Sequence, residues 1–164
     1  MKRISATGEA MAITSHPYDP SQIFVGPFSH ERIEFIIPSV IDHMHGVLNY
    51  LVERTVAYGL VDPSSNLFVA LDEAIANGIK HGNKSDPSKL VTIVVELTPS
   101  EATFTITDEG DGFDLTTLPD PTDPDYIMRP CGRGVMLIYH LMDEVRYNTR
   151  GNQVVMVKRP EPLS

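Results

Sequence analysis

The stretch that decides the fold is Leu71-Asp-Glu-Ala-Ile-Ala-Asn-Gly-Ile-Lys-His-Gly82. Apolar residues recur through it and just before it at three-to-four-residue spacing, which predicts an amphipathic helix over residues 63–80. Glu73 and Asn77 are four residues apart, so their side chains share one face of that helix. A carboxylate can accept a proton from a hydroxyl, and an amide oxygen can bind a hard cation such as Mg²⁺. Taken alone, the pair is also typical of an ordinary solvated helix face.

A second polar motif, Asp108-Glu-Gly-Asp-Gly-Phe-Asp114, directly follows a predicted strand. Gly110 and Gly112 can adopt positive φ and let the backbone approach a ligand closely. An aspartate at a strand end can accept a hydrogen bond from an exocyclic amine. Spacing excludes an acidic calcium loop, because glycine stands at its third position and Pro119 at its twelfth. A plain turn of glycine and aspartate remains the alternative.

A third motif, Gly132-Arg133-Gly134, opens a predicted helix over residues 134–142. Backbone N–H groups at a helix N-terminus form an anion site, and an arginine adds positive charge. The motif lacks the lysine and the spacing of a Walker loop. Taken alone, a simple helix start explains it better.

The predicted elements alternate between helices and short strands, with one long interruption. We expect a loosely ordered arm over residues 1–29, one domain over 30–160 and a tail over 161–164, with a long lid-like loop over 108–134. The order predicts an α+β fold, a two-layer sandwich whose mostly antiparallel sheet is covered on one face by helices. The remaining predicted elements are a strand over 32–37, a helix over 40–58, and strands over 89–98, 101–107, 143–149 and 153–159.

The composition and net charge of the chain limit the kinds of partner that it can bind and the cellular compartment that suits it. The 164 residues suit one domain, and 13 basic against 22 acidic residues give a net charge of −9, which argues against nucleic acid or an anionic membrane as the main partner. No apolar run approaches the roughly 18 residues of a membrane helix. A single cysteine, Cys131, excludes an internal disulfide and a zinc cluster, and it fits a reducing, cytoplasmic setting.

The three motifs, in this order, resemble those of the GHKL ATPase family, which includes gyrase, heat-shock-90, histidine kinases and MutL. Within that family, the short chain is similar to the bacterial anti-sigma factor serine-protein kinases. The resemblance covers about residues 30–160, and it implies the histidine-kinase-like ATPase fold with ATP and Mg²⁺ as cofactors. Its closest stretches are Leu71–Gly82, Thr107–Asp114 and Gly132–Val145.

The resemblance implies roles for the first two motifs. Asn77 would bind the Mg²⁺ that bridges the ATP phosphates, and Glu73 would be the catalytic base that takes a proton from a substrate serine or threonine. Asp108 would accept a hydrogen bond from the adenine amino group. Gly110 and Gly112 would let the chain pass close to the base and the ribose.

It implies further contacts to ATP from the third motif and from the end of the first. Gly132, Arg133 and Gly134 would close on the phosphates as part of the lid. Lys80 and His81 would line the nucleotide pocket, although a C-terminal helix cap explains His81 equally well.

The resemblance implies an ATP-dependent serine/threonine protein kinase that acts as an anti-sigma switch in transcription regulation. It would phosphorylate a small STAS-like anti-anti-sigma antagonist and sequester a sigma factor, and it would form a homodimer through the strand at 32–37. The alternative is a non-catalytic, nucleotide-gated protein-binding switch. That alternative is motivated by the N-terminal arm and by Gly151-Asn152, where family members often carry Gly-Thr.

Overall fold

The computed structural model describes residues 30–113 and 133–160. The predicted arm, most of the predicted lid and the predicted tail lie outside the described residues. So do Gly132 and the side chain of Arg133. Three of the sequence-based expectations, namely the arm, the lid and the phosphate contacts from Gly132 and Arg133, therefore stay predictions.

One layer of the fold is an open antiparallel sheet. Its five strands lie in the order β1-β2-β3-β5-β4, so β1 and β4 form the edges within the described part of the chain. Valine, isoleucine and threonine dominate the central strands, as expected for a pleated surface with one buried face. The strands are β1 Glu31–Pro38, β2 Leu90–Leu97, β3 Ala102–Asp108, β4 Glu144–Tyr147 and β5 Gln153–Lys158.

Three α-helices form the other layer: α1 Met44–Ala57, α2 Leu67–Asn77 and α3 Arg133–Leu141. A short 3₁₀ turn, Ile41–His43, precedes α1. Alternate residues of the central strands are buried, and they join the buried helix residues in one hydrophobic core. The predicted α+β sandwich and its order of elements are confirmed. Core members from the sheet and the helices include Ile93, Phe104, Met156, Leu51, Leu71, Ile75 and Ile138.

The start of α2 differs from the prediction. The helix begins at Leu67 rather than at Pro63, and residues 63–66 form turns. Asp62 Oδ1 accepts hydrogen bonds from Ser64 N at 2.9 Å and from Ser64 Oγ at 2.6 Å. The side chain that could have capped a helix therefore closes a local turn, as aspartate often does.

The end of α2 also differs, and the difference shapes the site. The α-helix ends at Asn77, and the chain continues as a π-helix over Gly78–Gly82. Asn83 N donates to Gly78 O at 2.8 Å, which is a bond across five residues instead of four. This wider turn brings Gly82 against the end of β3.

Candidate nucleotide-binding site

Asp108, the last residue of β3, lies directly against the π-helix. A methyl group built at Gly82 would overlap its carboxylate, with Oδ1 only 2.5 Å away. A methyl group at Gly110 would lie 2.6 Å from the Gly82 carbonyl carbon. Asp108 Oδ1 accepts a hydrogen bond from Gly110 N at 2.8 Å. The close approach of the π-helix to the segment from Asp108 to Gly110 therefore requires glycine at both positions, and it leaves the carboxylate among backbone atoms.

The electrostatics of Asp108 distinguish it from a surface carboxylate. Burial raises the pKa of Asp108, while the Gly110 N–H and the positive charges of Arg150 and Lys89 act in the opposite direction. Within the described part of the chain, Asp108 has no salt bridge. A partly desolvated carboxylate without an ion-pair partner gains most from a ligand that donates a hydrogen bond to it.

Glu73 and Asn77 meet the start of α3. A methyl group built at Gly134 would overlap Glu73 Oε2, and it would lie 3.1 Å from Glu73 Cδ and 3.7 Å from Asn77 Nδ2. Both polar side chains are partly exposed. The first and third sequence motifs are therefore adjacent in space, with a carboxylate, an amide and a helix N-terminus in one place.

The other predicted site residues are placed as follows. Gly112 has a φ of +81°, and a methyl group there would lie 2.7 Å from the Arg150 carbonyl carbon. What approaches Gly110 and Gly112 in this structure is therefore protein backbone. Lys80 and His81 are exposed on the π-helix, and neither hydrogen-bonds to another site residue among the described ones. Their contact with a nucleotide stays a prediction.

Asn83 is a site residue that the sequence analysis missed. It is completely buried, and its Nδ2 donates to Ser39 Oγ at 2.8 Å and to Leu90 O at 2.9 Å. Its Oδ1 accepts from Glu109 N at 2.8 Å. One side chain therefore ties the end of β1, the start of β2 and the residue after Asp108. The only sequence signal was a polar residue after the helix-ending Gly82, which is also common in turns.

Two further features of the described residues concern metals and membranes. Across residues 30–113 and 133–160, no group of three or more histidine, cysteine, aspartate or glutamate side chains is arranged to hold a metal ion. In the same residues, no helix combines the length and the apolar character needed to cross a bilayer.

The model of the histidine kinase-like ATPase domain matches residues 38–158. The chain belongs to this family. The match takes in the described parts of all three motifs, and the five-stranded sheet with its three helices agrees with the histidine kinase-like ATPase fold. The family resemblance inferred from the sequence is confirmed.

Curated relatives of this ATPase domain are named as serine-protein kinases or anti-sigma factors. The chain is 33% identical over 100 residues to the serine-protein kinase RsbW of Listeria innocua, covering 57% of this chain and 64% of the relative. It is 31% identical over 111 residues to the anti-sigma F factor of Clostridium botulinum, covering 63% and 76%. RsbW of Oceanobacillus iheyensis is 29% identical over 100 residues, covering 57% and 63%. The ATPase domain thus spans just under two thirds of the length of the RsbW proteins it matches.

Proposed function

We propose that this ATPase domain binds Mg–ATP and transfers its γ-phosphoryl group to a serine or threonine of a small antagonist protein. The observation that carries the proposal is the meeting of the three motifs. Glu73 and Asn77 face Gly134 at the start of α3, while Asp108 lies behind the π-helix that continues from Asn77. The names of the relatives, serine-protein kinase and anti-sigma F factor, support the same function.

In this proposal, the nucleotide base binds at Asp108 and the phosphates lie at α3. Asp108 accepts a hydrogen bond from the adenine amino group, for which its desolvated carboxylate is suited. The N–H groups at the start of α3 face the phosphates, because a helix N-terminus attracts anions.

Asn77 is the proposed protein ligand for Mg²⁺. Its amide oxygen is a hard donor, and the described residues supply no cluster of acidic ligands. Such a donor set fits Mg²⁺, which commonly binds through few protein groups together with phosphate oxygens and water. When bound, Mg²⁺ neutralises charge on the phosphates during transfer.

Glu73 is the proposed general base. Its carboxylate lies at the start of α3, next to the proposed phosphate site, so it can accept the proton of an incoming serine hydroxyl. Phosphoryl transfer depends mainly on positioning and charge neutralisation. One carboxylate beside a bound nucleotide can therefore supply the proton transfer that this reaction needs.

The printed name of the anti-sigma F factor supports a sigma factor as a partner. In this proposal, the protein holds a sigma factor in the cytoplasm and phosphorylates a STAS-like antagonist. A homodimer through β1 fits this scheme, because β1 is an edge of the sheet formed by the described residues and Ile36 on it is 58% exposed.

The first test is a calorimetric titration with Mg–ATP. Asp108→Asn should weaken binding at least tenfold, because the amide presents at best one acceptor and no charge to the amino group. Asp62→Asn, at an exposed turn outside all three motifs, is the control and should bind like wild type. Absence of binding in the wild type, or equal binding by both variants, would refute the nucleotide site.

The second test addresses phosphoryl transfer. Glu73→Gln should bind ATP normally but transfer phosphate to a candidate antagonist at least a hundredfold more slowly. Transfer at the wild-type rate would remove Glu73 from the reaction.

A nucleotide-gated switch without transfer is the second candidate. It is favoured by Asn152, whose side chain is engaged with the Asp108 backbone at the position where family members often carry threonine. ATP-dependent antagonist binding by the wild type, without phosphorylation, would select this candidate.

A further inference from the structure

The turn between β4 and β5, residues Asn148–Asn152, is braced by its own first side chain. Asn148 Oδ1 accepts hydrogen bonds from the backbone N–H groups of Gly151, Asn152 and Gln153, at 2.8, 3.1 and 3.3 Å. Backbone N–H groups can only donate, so the orientation of the Asn148 amide is determined: its oxygen faces the turn and its NH₂ group points away.

This orientation determines the next amide in turn. Asn148 Nδ2 donates to Asn152 Oδ1 at 2.9 Å, which leaves Asn152 Nδ2 as a donor. That donor reaches the Asp108 carbonyl oxygen at 2.8 Å. In the opposite direction, Asp108 N donates to Asn152 O at 2.9 Å. Asn152 therefore holds both polar backbone groups of Asp108, one with its backbone and one with its side chain.

The rest of the turn contacts the rest of the Asp108 loop. Arg150 Nη2 donates to Gly110 O at 3.0 Å. Gly151 has a φ of +76°, and a methyl group there would lie 2.8 Å from Phe113 N. The turn thus packs along the whole of residues 108–113, and Asn152 is its point of contact with the residue that carries the carboxylate.

We propose that Asn152 is a positioning residue for base recognition. It orients Asp108 so that the carboxylate selects purines that carry a 6-amino group. This inference rests on the proposed function, because it assumes that Asp108 binds the base. A hydrogen bond is directional, so a carboxylate displaced from its acceptor position loses most of its selectivity. In an Asn152→Asp variant, one carboxylate oxygen could still accept the hydrogen bond from Asn148 Nδ2. The other oxygen would replace the Nδ2 donor, so two acceptors would face each other at the Asp108 carbonyl.

The experiment compares two nucleotides in two matched variants. Dissociation constants are measured for ATP and for purine riboside triphosphate, which lacks the 6-amino group. The variant is Asn152→Asp, and the control is Gln153→Glu, an amide-to-carboxylate change of the same charge at the next residue. Gln153 Nε2 donates to Thr107 Oγ1 at 2.9 Å, so its amide binds the same strand but not Asp108.

Wild type and Gln153→Glu should prefer ATP by about 10–100-fold, as expected for one hydrogen bond to a charged group. In Asn152→Asp this preference should fall to about threefold or less, mainly through weaker ATP binding. A general loss of structure would instead weaken both nucleotides equally, and that result would overturn the inference. So would an unchanged preference in Asn152→Asp.

Two further outcomes are separated by the same measurements. If Asn152→Asp melts below the assay temperature, Asn152→Ala replaces it, since alanine also lacks the donor to Asp108, and the same narrowing is expected. Wild-type protein that bound neither nucleotide would refute the proposed function and this inference together. Wild-type selectivity that persists in Asn152→Ala would refute the inference alone.

Discussion

Gly134→Ala should separate nucleotide binding from phosphoryl transfer. The added methyl group would lie 3.1 Å from Glu73 Cδ and would overlap its Oε2, whereas ordinary contact begins near 3.4 Å. The carboxylate is the end of a flexible side chain, so it can rotate away at a cost of about 0.5–1.5 kcal/mol. Alanine in a helix gains up to about 1 kcal/mol over glycine. The two terms nearly cancel, and the free energy of unfolding should change by less than about 1 kcal/mol.

Activity should change far more than stability. General-base catalysis typically accelerates a reaction by about 10²–10⁴-fold, and a displaced base loses that acceleration. Phosphoryl transfer to an antagonist should therefore slow at least a hundredfold. The dissociation constant for Mg–ATP should stay within about threefold, because alanine keeps the backbone N–H proposed to face the phosphates and its methyl group lies 3.7 Å from Asn77 Nδ2, an ordinary contact distance. The measurements are chemical denaturation, calorimetry with Mg–ATP, and single-turnover phosphotransfer.

Gly46→Ala is the matched control. Gly46 lies within α1, and a methyl group there would meet nothing within 4 Å. This variant should be more stable by about 0.5–1 kcal/mol and should transfer phosphate like wild type. Normal transfer by Gly134→Ala would refute the assignment of Glu73. Loss of ATP binding in that variant would show that the start of α3 contacts the nucleotide in a different way.

Three further results are expected. Asp108→Asn should stabilise the ligand-free protein at pH 7. Burial raises the pKa of Asp108, so its protonated form favours the folded state at pH values below the ordinary pKa of 3.8, and this stabilisation is lost as the pH rises through the raised pKa. Thermal unfolding of wild type and variant at pH 7 and at pH 3.5 tests this expectation. Asn83→Ala should cost about 2–4 kcal/mol in urea denaturation, because the side chain of Asn83 is completely buried and its loss leaves three hydrogen-bonding groups without their partner. Ile36→Lys should convert a dimer to a monomer in light scattering without changing ATP affinity.

Each of these has a result that contradicts it. A stability gain in Asp108→Asn that is equally large at pH 3.5 would exclude titration of Asp108 as its cause. Asn66→Ala, at an exposed helix start without a side-chain cap bond, should change stability by at most about 0.5 kcal/mol. An equal loss of stability in Asn66→Ala and Asn83→Ala would contradict the structural role assigned to the Asn83 side chain. A wild-type monomer at high concentration would refute dimerisation through β1.

The fold could be predicted largely because its strands and helices differ in hydrophobic period. Apolar residues alternate with threonine in β3, and the structure buries every second residue from Ala102 to Ile106. The start of α2 could not be predicted in the same way. Asp62 and Pro63 suit a helix start, but the Asp62 side chain is used by Ser64 in a turn. Local propensity favoured both structures, and a two-residue contact decided between them.

The site was only partly predictable for a similar reason. Four-residue spacing correctly placed Glu73 and Asn77 on one helix face, because that depends on helix geometry alone. The roles of Gly82 and Asn83 depend on Asp108 and Glu109, which lie 26 residues further along the chain. Asn152 depends on Asp108 from the other side. Contacts of this range leave no periodic signal, so these residues looked like ordinary turn residues.

The π-helix gives this turn a tolerance for a change in chain length. Asn83 N donates to Gly78 O across five residues, one more than in an α-helix. Deleting one residue between Gly78 and Gly82 would let the same two groups pair as an ordinary α-helical bond, so Gly82 would keep nearly the same position against Asp108. Relatives that lack one residue at this turn should therefore keep the contact between the turn and the end of β3.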